Sequence, residues 1–285
     1  NLKPHCCLHF TNKPNIIGGI ASRYLKINYI NNIAWGGSET LKFFSKKFLF
    51  IMHKISLKKV KKVFFQNNDD LKLFKINKII SNKNYEVLPG SGVDLDFFSK
   101  FKKIKNNESN KTRFIMVSRL IKNKGILEFL ESTKLISEKY KNTEFFLIGE
   151  MLKSDLFISK KDLANYSHIN YLGYKDSVYQ FLSQSDCIIL PSYREGVPRT
   201  LIEAAAIGLP IITTDVPGCR EVCYDNINGF LCKEKDVLDL FKKIELFILS
   251  SKEQKLLFSQ NSLKISQKFD EKYVIDRYIN VIENL

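Results

Sequence analysis

From Thr112 to Cys232 the chain alternates short, continuously apolar runs with stretches of helical period, and few architectures accommodate that alternation. TRFIMVS (112–118), TEFFLIG (143–149), HINYLG (168–173), DCIILPS (186–192), LPIITTD (209–215) and NGFLC (228–232) read as strands. KGILEFLESTKLISEKY (124–140) places Ile126, Phe129, Leu130, Leu135 and Ile136 at helical spacing. SVYQFLSQS (177–185) reads as a short helix, and RTLIEAAAIG (199–208) as a helix closed by Gly208. Three more helical stretches finish the chain. Strands apolar on both faces and separated by helices make a parallel sheet of βαβ units. Ligands of such sheets sit beyond the carboxyl ends of the strands. That rule selects the loops after Val117, Ile148, Leu172 and Leu190.

Residues 1–95 read as part of a second α/β unit. YINNIAW (29–35), KVFFQN (62–67) and YEVLPGSGVD (85–94) are strand-like, but the unit is short for a full sheet. The basic, aperiodic stretch 99–111 reads as a linker. The expected organisation is a first domain over 1–98, a linker over 99–111, a second domain over 112–268, and a last helix, 269–285, crossing back to the first domain. The first residue is Asn rather than Met, which suggests a piece of a longer chain. The opening segment has no apolar core of the signal-peptide kind. No run of 18 apolar residues spans a membrane.

The net charge of +15 is lopsided. Residues 1–110 carry 20 Lys+Arg against 7 Asp+Glu, and residues 111–285 carry 25 against 23. The excess therefore belongs to the first part, and points to an anionic partner there, nucleic acid or a membrane surface, or to a compositional bias without purpose. LKFFSKKFLFIMHKISLKKVKKV (41–63) carries a stripe of Leu41, Phe44, Phe48, Met52 and Ile55, with lysines largely off it. It suits either a helix lying on an anionic bilayer or a core-facing helix with a solvated lysine face. The six cysteines form no CxxC pair, and no zinc-finger spacing surrounds Cys219 and Cys223, so they read as reduced, packed thiols.

YREGVPRTLIEAAAIGLPIITTDVPG (193–218) puts Glu195 and Glu203 around a helix start that follows an apolar strand. The unpaired N–H groups of a first helical turn, with the helix dipole, favour a phosphate. Gly196 lets a backbone approach closely, and Pro198 suits a helix start. Carboxylates beside a phosphate site make sense when they accept from the vicinal hydroxyls of a ribose or a hexose. The phosphate charge is then met by Arg119 and Lys124 in SRLIKNKG (118–125). Taken singly, each of these residues has an ordinary alternative as a cap, a solvated helix residue or a surface ion pair. Together they describe a nucleotide-sugar site.

With these residues in view, EGVPRTLIEAAAIGLPIITTDVPGCREV resembles the signature of family 4 retaining glycosyltransferases, and SRLIKNKG resembles the same family's diphosphate motif. VLPGSGVD, VFFQNNDD and FTNKPNIIGGIASR resemble its branch that builds bacterial surface polysaccharides and glycan carrier lipids. The resemblance implies an α/β fold of the GT-B kind, two Rossmann-like domains facing a cleft, with the first strands of the N-terminal domain missing. It implies Glu195, Arg119 and Lys124 as catalytic residues, Glu195 at the donor hexose and the two cations at the diphosphate. It implies donor binding by Glu203 at the ribose, by Gly196, Val197, Pro198, Arg199 and Thr200, and by Gly173 and Tyr174 at the base. It implies no metal and no cofactor, a nucleotide-sugar donor of the UDP kind, and a polyprenol-linked saccharide acceptor. It also implies peripheral attachment to the anionic inner face of the bacterial plasma membrane through the basic first domain, and no nucleic acid. Where many members place a His in the N-terminal domain, this chain has Phe10, with His9 beside it.

Three other readings stay open at this level. One keeps the fold with a GDP-sugar donor and another acceptor. One is a non-catalytic basic nucleic-acid-binding protein, although no recognition motif is present. One is a dinucleotide oxidoreductase, against which the lack of GxGxxG after any strand argues.

Overall fold

The computed structural model describes residues 4–34, 46–80, 84–101, 111–151 and 158–285, with the backbone alone at Lys160. The chain forms two compact units. Unit 1 comprises Asn1–Gly92, Glu195–Val197 and Glu271–Leu285, and unit 2 comprises Val93–Arg194 and Pro198–Asp270.

Unit 1 carries a four-stranded parallel sheet in the order β1 (Cys6–Phe10), β2 (Asn28–Ile33), β3 (Lys62–Phe65), β4 (Tyr85–Val87). Helices α1 (Asn12–Tyr24), α2 (Lys46–Ser56) and α3 (Asn68–Ile76) join these strands. One core gathers Ile16, Ile33, Leu49, Phe65 and Phe74. A second places Ile30, Phe64 and Leu88 against Val274 of α11 (Glu271–Glu283). Arg277 of that helix grips Glu86 with two hydrogen bonds, Nε at 2.6 Å and a terminal nitrogen at 2.8 Å. The Arg277 and Lys62 contacts hold the Glu86 carboxyl below the usual range, against the opposing effect of burial.

Two findings in unit 1 differ from the sequence reading. First, β1, α1 and α3 were not expected. The segment that forms α1 contains Pro14, Gly18 and Gly19, which local propensity sets against a helix. Packing overrides that preference. A Cβ at Gly18 would lie 2.7 Å from the His9 ring, and one at Gly19 would lie 3.1 Å from Ser56 Cβ, so the glycines let α1 approach both β1 and α2. Second, α2 buries Leu49, His53 and Ser56, a face one residue round from the expected stripe, and Phe48 is exposed. Seating Ser56 against Gly19 sets that rotation. The helix is core-facing with exposed lysines. Leu41 and Phe44 lie outside the described residues.

Unit 2 carries a six-stranded parallel sheet in the order β10-β9-β8-β5-β6-β7. Its strands are β5 (Thr112–Val117), β6 (Thr143–Ile148), β7 (Ile169–Tyr171), β8 (Cys187–Leu190), β9 (Ile211–Thr214) and β10 (Gly229–Cys232). The helices are α4 (Leu95–Ser99), α5 (Ile126–Lys139), α6 (Lys160–Ala164), α7 (Tyr179–Ser183), α8 (Arg199–Ile207), α9 (Val237–Leu249) and α10 (Lys252–Ser266). Every strand run named in the second half of the sequence forms a strand. Gly208 closes α8 in the left-handed conformation, φ 85°. On α5, Ile126, Phe129, Leu130 and Ile136 are buried, whereas Leu135 is 38% exposed and leaves the expected stripe.

The units divide at Gly92 and Val93, ahead of the expected boundary at 98. Val93 N donates to Phe269 O at 2.9 Å, Phe98 is buried, and Phe101 packs 4.0 Å from the Tyr179 ring, so this segment belongs to unit 2. Most of the expected linker, 102–110, lies outside the described residues. Cys187, Cys219, Cys223 and Cys232 are buried, and burial pushes the Cys223 and Cys232 thiols up.

Candidate functional site

The strand order of unit 2 reverses at β5. The chain runs outward through β6 and β7, returns to β8 on the other side of β5, and continues outward through β9 and β10. The crevice at the carboxyl ends of β5 and β8 is therefore the topological switch point, where doubly wound sheets bind ligands. Two loops flank it, one leading from β5 to α5 and one from β8 to α8.

These two loops are fastened to each other. Tyr193 N donates to Asn123 O at 3.0 Å, and Tyr193 Oη donates to Glu128 at 2.7 Å. Gly125 sits at φ 73°, and a Cβ there would lie 1.9 Å from Pro191 O, so only glycine permits this approach. The β5 loop is also tied to the loop after β6. Ser118 N donates to Ile148 O at 3.0 Å and Leu120 N to Glu150 O at 3.1 Å, while a Cβ at Gly149 would meet Ser118 O at 1.7 Å. Gly149 N in turn donates to Gly173 O at 3.0 Å. The four loops selected from the sequence thus form one bonded rim in unit 2.

On this rim Arg119 is exposed and Lys124 half-buried. Gly173 has φ 71°, and Tyr174 is 65% exposed. Helix α8 starts at Arg199 with Pro198 as its cap residue, and has neither a side-chain cap nor an acidic residue in its first turn. Its first N–H groups are therefore available to an anion. Thr200 is half-buried. Glu203 lies on the second turn, nearly buried, and accepts from Arg199 Nε at 3.0 Å. Burial raises the Glu203 carboxyl above the usual range, and Arg199 offsets this in part.

Glu195, Gly196 and Val197 belong to unit 1. Glu195 and Val197 are each 8% exposed. Within that unit Asn67 Nδ2 donates to Gly196 O at 2.9 Å, and Val197 N donates to Gln66 Oε1 at 3.2 Å. A Cβ at Gly196 would lie 2.1 Å from Gln66 Oε1 and 2.9 Å from Ala34 Cβ, so a larger residue there would displace the Gln66 side chain.

His9 faces α1. Its Nδ1 lies 3.0 Å from Asn31 Oδ1 and its Nε2 3.5 Å from Ser22 Oγ, so both ring nitrogens are engaged in holding the sheet to the helix. Phe10 is 48% exposed and packs near Tyr278. Sequence reasoning missed the residues that fasten the loops, Gly125, Gly149, Glu128 and Tyr193. The glycines carried a signal, since each falls between a strand and the next element. Tyr193 carried none. Among the described residues no group of three or more His, Cys, Asp or Glu could hold a metal ion.

Two parallel-sheet, Rossmann-like halves with a switch-point rim make up the α/β fold of the GT-B kind. The structure of Anabaena HepE in complex with UDP matches with a TM-score of 0.81 at 19% identity, over 98% of this chain and 79% of that one. Sucrose-phosphate synthase from Thermosynechococcus elongatus also matches with a TM-score of 0.81, at 15% identity over 99% of this chain and 74% of that one. A family model for glycosyl transferases group 1 matches residues 97–264, and the chain belongs to that family. It is a glycosyltransferase, which sets aside the nucleic-acid-binding and oxidoreductase readings. Its relatives include the N,N'-diacetylbacillosaminyl-diphospho-undecaprenol alpha-1,3-N-acetylgalactosaminyltransferase of Campylobacter jejuni. That protein is 28% identical over 96% of this chain and 75% of its own length. The UDP-Gal:alpha-D-GlcNAc-diphosphoundecaprenol alpha-1,3-galactosyltransferase of Escherichia coli is 26% identical over 96% of this chain and 75% of its own length.

Proposed function

We propose that the chain transfers a hexose or N-acetylhexosamine, with retention, from a UDP-sugar to a polyprenyl-diphosphate-linked saccharide at the inner face of a bacterial plasma membrane. The observation that carries this reading is the switch-point rim of unit 2. There the loop of Arg119 and Lys124 is fastened to the loop that leads into the uncapped start of α8.

In this reading the diphosphate lies against the first turn of α8, with Arg119 and Lys124 as its cations. Glu203 releases Arg199 and accepts from the ribose hydroxyls, Gly173 and Tyr174 receive the base, and Glu195 serves the donor hexose. As the glycosidic bond breaks, negative charge builds on the departing diphosphate. Fixed N–H groups and cations stabilise that charge more than they stabilise the bound donor, and this difference accelerates transfer. A departing phosphate oxygen takes the proton of the incoming hydroxyl on the same face of the sugar, so neither a protein nucleophile nor a metal is needed. The names of the Campylobacter and Escherichia relatives, both acting on undecaprenyl-diphosphate-linked sugars, support the acceptor class.

The test is transfer from a panel of UDP-sugars to a short-chain polyprenyl-diphosphate saccharide, with a chelator present and the anomeric configuration read by NMR. An α-linked product from an α-linked donor is expected. A β-linked product refutes retention, and transfer from GDP-sugars alone refutes the donor.

A further inference from the structure

Arg199 and Glu203 form an ion pair along α8, and the pair is lopsided. The Arg199 side chain keeps 60% of its surface exposed, and the Glu203 side chain 12%. One bond joins them, from Arg199 Nε to Glu203 Oε1 at 3.0 Å. Among the described residues neither side chain has another ion pair or hydrogen bond, so the terminal nitrogens of the guanidinium are uncommitted.

Each charge sits where the helix does not favour it. Arg199 is the first residue of α8, at the positive end of the helix dipole, which attracts anions and disfavours cations. The first turn carries no acidic residue to compensate. Glu203 lies beyond the turn where the dipole acts, and burial weighs against its charge. An i,i+4 pair with one exposed partner favours contact by only about two- to fivefold. A contact that weak exchanges readily, and the exposed partner is the one free to turn. A ribose diol brings two O–H donors to the carboxylate in place of one N–H. The guanidinium it displaces stands on the same first turn whose N–H groups are available to an anion, and its planar fork matches phosphate oxygens.

We propose that Arg199 exchanges partners as the donor binds: its guanidinium gives up Glu203 to the ribose hydroxyls and passes to the donor diphosphate. This exchange rests on the reading that Glu203 serves the ribose and the first turn of α8 the diphosphate. It adds that ribose and guanidinium compete for one carboxylate, and that the diphosphate is what makes the release favourable. The site therefore selects a nucleotide carrying both groups over a free nucleoside. It also gains a third cation, beside Arg119 and Lys124, for the charge that builds on the departing diphosphate.

The test is titration of the parent chain, Arg199→Ala, Arg199→Lys and Glu203→Ala with uridine and with UDP, by ligand-observed NMR and calorimetry. Transfer is measured on the same preparations. Arg199→Ala is expected to bind uridine about two- to fivefold more tightly, because the competitor is gone. The gain in affinity from uridine to UDP is expected to fall by about tenfold or more, the worth of a charged hydrogen bond to phosphate. Transfer at saturating donor should slow by about tenfold or more. Arg199→Lys should recover part of the gain from uridine to UDP, as a point charge in place of the fork. Loss of a merely structural ion pair would not tighten uridine. Uridine affinity unchanged or weaker in Arg199→Ala overturns the exchange, and so does a gain from uridine to UDP equal to the parent's. Glu203→Ala separates this from the reading beneath it. If that variant loses affinity for both ligands while Arg199→Ala fails as stated, the exchange alone falls. If it binds both like the parent, the ribose assignment falls and the exchange with it.

Discussion

Gly125 joins backbone geometry to ligand binding, and replacing it with alanine tests the rim directly. Its backbone is left-handed, φ 73° and ψ 29°. An L-residue there costs about 1–2 kcal/mol. The added Cβ would also lie 1.9 Å from Pro191 O and 2.6 Å from Pro191 C, both backbone atoms that cannot swing aside. Relief needs a shift of roughly 1 Å between the two loops, and overpacking of this kind costs about 1–3 kcal/mol. Together these give a loss of roughly 2–5 kcal/mol. For a unit of this size that lowers Tm by about 5–15 °C. The shift also displaces Lys124, and a misplacement of about 1 Å at a binding loop can cost about a hundredfold in rate. Gly125→Asn separates the two causes, because asparagine tolerates the left-handed backbone but carries the same Cβ. The assays are thermal melting by circular dichroism and nucleotide titration. Both variants are expected to melt early and bind weakly. Parent-like behaviour of Gly125→Ala, or full recovery in Gly125→Asn, would refute the close approach to Pro191.

Glu203→Gln should stabilise the chain at neutral pH while weakening nucleotide binding. Burial raises the folded carboxyl above its unfolded value, so its contribution to stability falls as pH rises through that window, and the amide removes the fall. Melting temperatures of parent and variant across pH check this, and curves that stay parallel would count against it. Glu195→Ala should leave UDP affinity within a few fold and reduce transfer by at least tenfold, since the hexose rather than the nucleotide loses its partner. Equal losses in both would move Glu195 to the nucleotide. Arg277→Ala should cost roughly 0.5–1 kcal/mol at neutral pH, the size of a partly exposed pair. Glu86 is held low in the fold, so the pair's stabilisation is present above the ordinary Glu range and is lost as pH falls through the folded value. A difference from parent that persists in acid would assign the effect to packing instead.

The second half of the fold was legible because its strands are buried on both faces, so DCIILPS and LPIITTD announce themselves without context. The loops that carry the candidate site residues of unit 2 followed from that reading together with the switch-point rule. The first half was less legible, since its helix α1 contains glycines that only tertiary packing against His9 and Ser56 justifies. The face of α2 was off by one residue for the same reason: the neighbour that selects it, Gly19, is distant in sequence. The fastening of the rim was also hidden, because Tyr193 and Glu128 are far apart in sequence and meet only once β5 and β8 are adjacent.

The most direct measurement is calorimetric titration of the chain with UDP, GDP and ADP in turn, in the presence of a chelator, repeated with Glu203→Ala. The account predicts saturable binding of UDP, little of GDP or ADP, and a clear loss of UDP affinity in the variant. Binding of GDP in preference to UDP, or UDP binding that Glu203→Ala leaves unchanged, would contradict it.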